Sequence, residues 1–459
     1  MNRHKTSKSI GGLLRPLALF MIATLIFPAD AAVYHVDPSK GNDADDGSLA
    51  NPWRTIKKAK SAAVAGDLIE LMPGDYGSVV FTGRNAAHSA QYITYRCNPR
   101  TPFAARFSSI VFNGAATFYI RIEGLNVESA GGEACVKLDG ASHVQVIGCK
   151  AHGRTGGIGP SYANMLLKKA AHVLVEDCEI FYSGPQAHAI QLEECRNVVV
   201  RGCHVHDIVS SGIRTSGGAN NTIEYNVVHD QRVDWNPSVH GSGLSIRSHD
   251  TVIRGNIVYN YGNTRPIRFY QDCAGPDGYR NMLVENNLVY KTPDFAGVQW
   301  WTEFIDLGPN CVLRNNTFIG DVVVILASKA DGSGLSLYNN IVTGRLQVEQ
   351  PHKWPNIRHG RNILGKLAAK GCGWMCFHAD FAPGGGNVVG VNCAVGGFFR
   401  TGAVHYPYTG DYPYELHSLS TAVDFADEAQ APAVDLLCRD RVGPADVGCM
   451  ECMDHRAAH

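Results

Sequence analysis

The stretch HGSGLSIRSHDTVIRGNIVYN, residues 240–260, decides how this chain folds. It holds two short runs, GLSIRS and TVIRGNIVYN, in which apolar and polar residues alternate, the mark of half-buried strands. The second run recurs as VQVIGCKA (144–151), VLVEDCEI (173–180), VVVRGCHV (198–205), TIEYNVV (222–228), LVENNLV (283–289), VLRNNTF (312–318) and LSLYNNIV (335–342). Each copy ends in a turn former followed by one special residue: Cys149, Cys178, Cys203, Asn226, Asn256, Asn287, Asn316 and Asn340, spaced 23 to 31 residues apart. A unit of that length cannot bury its own apolar face, so its repetition signals a solenoid. Short strands, Asn-bearing turns and no helical period make it an all-β parallel helix. Equivalent positions then stack about 4.8 Å apart, and the Asn column reads as a structural ladder.

The 459 residues carry a net charge of −1, so no nucleic acid or anionic membrane is an expected partner. Residues 1–31 read as a cleavable signal peptide: Arg and Lys without acid, an apolar core at 17–27, then Ala29-Asp30-Ala31. The core is too short to span a bilayer. A secreted or periplasmic monomer is expected, with a cap and first coils at 32–109, coils at 110–362 and a C-terminal cap or tail at 363–459.

Of the 14 cysteines, Cys149, Cys178 and Cys203 share one column and read as stacked thiols. Cys372, Cys376, Cys393, Cys438, Cys449 and Cys452 lie in a Gly-rich tail, where disulfides are expected and a zinc site is the alternative.

Near the N-terminus, GND-x2-DGS is followed by PWRTI and GD-x-I-x-L-x-PG-x-Y, with Thr55 placed to cap a short helix over 56–64. Near the C-terminus stands DRVGPADVGCME (440–451). With the coils between them, these segments resemble exported bacterial β-helix proteins of the pectate-lyase-like superfamily, which includes the chondroitinase B and alginate lyase group. The resemblance implies a right-handed parallel β-helix and an acidic polysaccharide as partner.

Eleven positions before most ladder residues lies the inward residue of another strand: Leu138, Leu167, Leu192, Thr215, Ile246, Phe269 and Ile305, the fifth and sixth at shifted offsets. Side chains alternate, so its neighbours face outward. They include Asp139, Lys168, Gln191 and Glu193, Arg214, Arg247, Arg268 and Tyr270, then Phe304 and Asp306. Guanidinium groups at strand spacing repel unless an anion lies across them. Arg binds carboxylate in bidentate fashion, and Trp235, Trp300 and Trp301 in nearby loops offer faces for sugar rings.

A polysaccharide lyase must neutralise a uronate carboxylate, remove the adjacent proton and protonate the leaving oxygen. Arg214, Arg247 and Arg268 are the expected clamp, with Gln191 as a further substrate contact. His240, His188 or Lys168 would be the base and Tyr270 the acid, and a Ca²⁺ ion on Glu193 and Asp139 would assist. The chain departs from the best-known relatives. It has no close match to the Lys and Arg motifs of the chondroitinase B group, to the Asp-Pro-His-Asp of alginate epimerases, or to the paired-Asp motifs of polygalacturonases. Glu193 and Glu194 are adjacent on a strand and so face opposite ways, which disfavours a hydrolase pair. A non-catalytic carbohydrate-binding β-helix and a uronate C5-epimerase remain open beside the lyase.

Overall fold

The computed structural model describes residues 31–82, 91–154, 159, 162–232, 241–262, 264–270, 274–292, 295, 299, 301–348, 356–367, 387–389, 404–406, 410–412, 422, 425–436, 441 and 445–449. Coil stacks on coil throughout. One sheet of 13 parallel strands begins at Val33–Val36 and ends at Arg358–Gly360. Two further ladders of parallel strands complete each turn. They merge at Ile341–Val348, which pairs with both Thr317–Phe318 and Val322–Leu326.

A coil runs from a strand of the first ladder into the long sheet, then through a tight turn to a short strand, and on by a loop to the next coil. The tight turn needs one residue with positive φ. Gly148, Gly202 and Gly255 supply it without strain, and Asn286, Asn315 and Asn339 tolerate it, whereas Tyr225 and Arg361 do so against their preference.

The next residue points inward and builds the expected ladder. The Asn256 amide nitrogen donates to Asn287 Oδ1 at 3.0 Å and to the Ile223 carbonyl at 2.8 Å, while the Asn256 backbone N–H reaches the same Oδ1 at 3.0 Å. Asn226, Asn287, Asn316 and Asn340 repeat the pattern. The ladder runs on to Asn362 and Asn387, beyond the repeats legible in the sequence. Cys149, Cys178 and Cys203 occupy the same column as free buried thiols. Burial pushes the Cys149 and Cys178 thiols well up, which leaves them unreactive.

The helix Ile56–Ala62 forms as expected, with the Thr55 hydroxyl accepting from the Lys58 N–H and with Ile56, Ala59 and Ala63 in the core. Asp43 of the GND motif accepts from the Arg54 and Thr55 N–H groups and from the Thr55 hydroxyl, so this motif sets up the cap.

Part of the C-terminal region returns along the flank of the coils. Asn286, Asn315 and Asn339, the positive-φ residues of three successive turns, bond to Val434, Asp446 and Asp427. Arg441 donates to Asn286 Oδ1 and to the Gly448 carbonyl. Cys449 is a free buried thiol beside Thr317. The other tail cysteines named above lie outside the described residues, as does the signal-peptide stretch 1–30.

Candidate functional site: a donor-rich strip on the first ladder

The ladder Val136–Asp139, Ala163–Lys168, His188–Glu193, Ile213–Ser216, Leu244–Ile246, Ile267–Phe269 and Thr302–Leu307 carries two outward columns. One reads, in register, Leu166, Gln191, Arg214, Ser245, Arg268 and Glu303. The other reads Asp139, Lys168, Glu193 and Ser216, and continues just past the strand ends to Arg247 and Tyr270.

One coil departs from the expected register. Phe304, not Ile305, is the inward neighbour of Phe269, with ring centroids 5.2 Å apart, and Glu303 takes the outward place expected for Phe304. The cause is a bulge between Phe304 and Leu307, which adds a residue to the count back from Asn316. Glu194 also departs from expectation: it lies past the strand in a turn at φ 52°, beside Lys169.

Glu303 organises one end of the strip. Its Oε2 lies 2.7 Å from Arg265 and 2.8 Å from Arg268, and its Oε1 accepts from the Trp301 indole at 3.3 Å. The Trp301 ring lies 4.9 Å from the Arg265 guanidinium, so this tryptophan is engaged within the strip. The Tyr270 ring takes the Arg247 guanidinium at 3.7 Å and that of Arg268 at 4.1 Å, cation–π distances that screen two neighbouring cations from each other.

Toward the other end the donors outnumber the acceptors. Among the described residues, Arg214 and Arg247 have no carboxylate partner, and the Nε–H of each is buried without an acceptor. Gln191 is 0 % exposed, yet neither atom of its amide is bonded among the described residues. His188 is approached by two donors: Ser211 N–H at Nδ1, 3.1 Å, and Arg214 Nη1 at Nε2, 2.8 Å. A neutral imidazole has one lone pair, so one of these contacts sets donor against donor. Adding a proton would worsen it. Burial first, then Arg214 and Arg247, push the ring down to about 3 and keep it neutral. His188 therefore has no spare lone pair with which to act as a base.

Tyr162 completes this end. Its hydroxyl donates to Glu193 Oε1, and its ring meets His188 edge-on at 6.0 Å. Burial, followed by the bond to Glu193, raises its phenol above the ordinary value, and Arg214 and Arg247 pull the other way.

Lys168 stands one coil from Glu193 and forms no ion pair among the described residues. Asp139 is a coil further still, with Lys168 between. At about 4.8 Å per coil, roughly 10 Å separates the Asp139 and Glu193 backbones. Lys168 thus stands between the two carboxylates expected to share an ion. His240, Trp235 and Trp300 lie outside the described residues. Tyr162, Arg265 and Glu303 belong to the strip and were not found from the sequence. Tyr162 and Arg265 precede their strands in loops, where alternation gives no signal.

Residues 108–265 match the family model described as "Right handed beta helix region". The chain is a right-handed β-helix. Residues 39–80 match a second model, "Protein of unknown function (DUF1565)", over the segment that carries the Asp43 cap. No curated protein matches the chain significantly. Among solved structures, pectate lyase Pel9A is 14 % identical with a TM-score of 0.49, the alignment covering 92 % of this chain and 96 % of that one. The PL6 family polysaccharide lyase Pedsa3628 from Pseudopedobacter saltans is 16 % identical with a TM-score of 0.47 over 74 % and 92 %. PfbA, a surface adhesin of Streptococcus pneumoniae, is 11 % identical with a TM-score of 0.42 over 67 % and 84 %. A fold does not fix chemistry, which has to be read from side chains. Among the described residues no helix is long and apolar enough to cross a membrane.

Proposed function

We propose that this β-helix is an exported polysaccharide lyase that cleaves a uronate-containing polymer by β-elimination. The observation that carries the reading is the imbalance of donors on the strip: two buried Nε–H groups, an unbonded Gln191 amide and a donor–donor contact at His188. Unsatisfied buried donors cost about 1–3 kcal/mol each, and an acceptor-rich anion lying across them removes that cost. A uronate carboxylate on Arg214 and Arg247 would be held and neutralised, so that charge developing beside it in the transition state is stabilised.

In this reading two phenols flank the clamp. Tyr162, bonded to Glu193, receives the proton from the carbon next to the carboxylate while its own passes to Glu193. Tyr270, under Arg247 and Arg268, gives a proton to the departing glycosidic oxygen. The carbon–oxygen bond breaks as a carbon–carbon double bond forms in the sugar. Arg268, already neutralised by Glu303, positions Tyr270 and does not hold substrate. This narrows the expected three-arginine clamp to two. The apolar run at 17–27 supports action outside the cytoplasm.

The test is the ultraviolet absorbance of unsaturated uronate during incubation with alginate, pectate, chondroitin sulfate or heparin. The expected result is a rise on one polymer that Arg247→Ala abolishes. Binding without any rise would move the assignment to a non-catalytic surface, and proton exchange with solvent at the uronate without cleavage would move it to an epimerase.

A further inference from the structure

A second cluster stands on the ladder of short strands, apart from the donor-rich strip. Glu179 of Glu179–Phe181 and His204 of His204–His206 are paired in register, and His206 precedes His229 of Val227–His229 by one coil. One ligand atom from each of Glu179, His204 and His206 lies within 4.8 Å of the others. We propose that Glu179, His204 and His206 form a binding site for a divalent transition metal ion, zinc by the donor set, with His229 placed to supply a fourth nitrogen.

Hydrogen bonding already points the ring nitrogens the right way. His206 Nδ1 bonds to Asp207 Oδ2 at 2.8 Å, and His229 Nδ1 to Asp230 Oδ2 at 2.9 Å. Each carboxylate fixes the tautomer that leaves an Nε2 lone pair outward, the arrangement by which ligating histidines are oriented in metal sites. The carboxylates are themselves held, Asp230 by Asn260 at 2.7 Å and Asp207 by Arg232 at 3.7 Å. The His206 Nε2 lone pair faces Glu179 Oε1 at 3.4 Å. Two electron-rich atoms at that separation require a cation between them, either a proton or a metal ion. Lys150 pairs with Oε2 of Glu179, at 2.7 Å, the oxygen that does not face His206. His229 Nε2 is 2.7 Å from His204 Nε2.

Zinc–nitrogen bonds of about 2.0–2.1 Å place tetrahedral ligand atoms about 3.3 Å apart. The 3.4 Å pair already has that spacing, while the 2.7 Å His204–His229 pair opens and the full 4.8 Å spread closes by rotamer shifts on a partly exposed face. Imidazoles with one carboxylate suit zinc, and they exclude calcium and magnesium, which want oxygen.

The test uses the whole chain, stripped with a chelator and checked by circular dichroism for an intact β signal. Co²⁺ and then Zn²⁺ are titrated, followed by calorimetry and visible absorption. One equivalent of Co²⁺ with the d–d bands of a four-coordinate ion, displaced by Zn²⁺, is expected. His206→Gln and Glu179→Gln should weaken binding by at least ~100-fold, and Asp207→Asn, which removes only the orienting carboxylate, by ~10–100-fold. Folded variants that bind as tightly as the parent chain would overturn the site, as would a stripped, folded parent chain that takes up no Co²⁺.

Discussion

An inward Asn column and the outward strip of the first ladder run along this β-helix, and they differ in whether their hydrogen bonds close. In the Asn ladder, each amide from Asn226 to Asn362 donates to the next Oδ1 and to a backbone carbonyl, so the column satisfies itself. On the strip, Gln191, Arg214 and Arg247 keep buried donors without acceptors among the described residues. A solenoid can supply partners by repetition, and it does so in the Asn column and not on the strip. The closed column holds the coils in register. The open strip leaves donors that nothing among the described residues accepts.

Replacing one member of each column should break this contrast in opposite ways. In the proposed lyase, Arg247→Ala should lower kcat/KM by ~10²–10³-fold and cost only the cation–π contact with Tyr270, ~1 kcal/mol of stability, because its Nε–H has no acceptor among the described residues. A fall in Tm with activity per folded molecule retained would show that Arg247 is structural. Asn287→Ala should do the reverse. It strands the N–H groups of Asn256 and the Ile253 carbonyl, at about 1–3 kcal/mol for each orphaned group. Urea unfolding should show the loss, with the proposed lyase activity per folded molecule unchanged.

Acid should sharpen the difference between the columns. His188 takes a proton near 6.5 when unfolded but only near 3 in the folded chain. Between those values the unfolded state binds the extra proton. The stability that depends on a neutral His188 is therefore complete above about pH 6.5 and lost as the pH falls toward 3, at up to ~1.4 kcal/mol per unit. His188→Gln should flatten the acid limb of the denaturation profile. An unchanged limb would mean that His188 takes a proton in the folded state. The smallest effect is expected at Cys178→Ser, within ~1 kcal/mol in thermal melts, since the hydroxyl can reach the Val146 carbonyl that the thiol meets at 3.5 Å. Native protein should also resist thiol labelling at Cys149, Cys178 and Cys203.

The closed column was legible in the sequence because one residue type recurs at one place in every repeat. The outward columns were legible wherever strands alternate without interruption, which placed Gln191, Arg214, Arg247 and Arg268 correctly. A single bulge hid Glu303, and with it the neutralisation of Arg268. His188 could be placed from the sequence, but its approach by two donors could not, because Ser211 and Arg214 meet it from the next coil. The doublets Asn286-Asn287, Asn315-Asn316 and Asn339-Asn340 carried a second message. Their second members build the ladder, and their first members receive the returning C-terminal segment, for which earlier coils have Gly, Asp or Tyr.

That returning segment gives the molecule a direction in time. Coils can nucleate and propagate from neighbour to neighbour, whereas the contacts from Asn286 to Val434 and from Asn315 to Asp446 join residues 148 and 131 positions apart. Closing so long a loop costs entropy that local pairing does not, so these contacts form after the coils beneath them exist. The segment acts as a seal applied once the winding is done, and amide exchange should find it among the first parts to open.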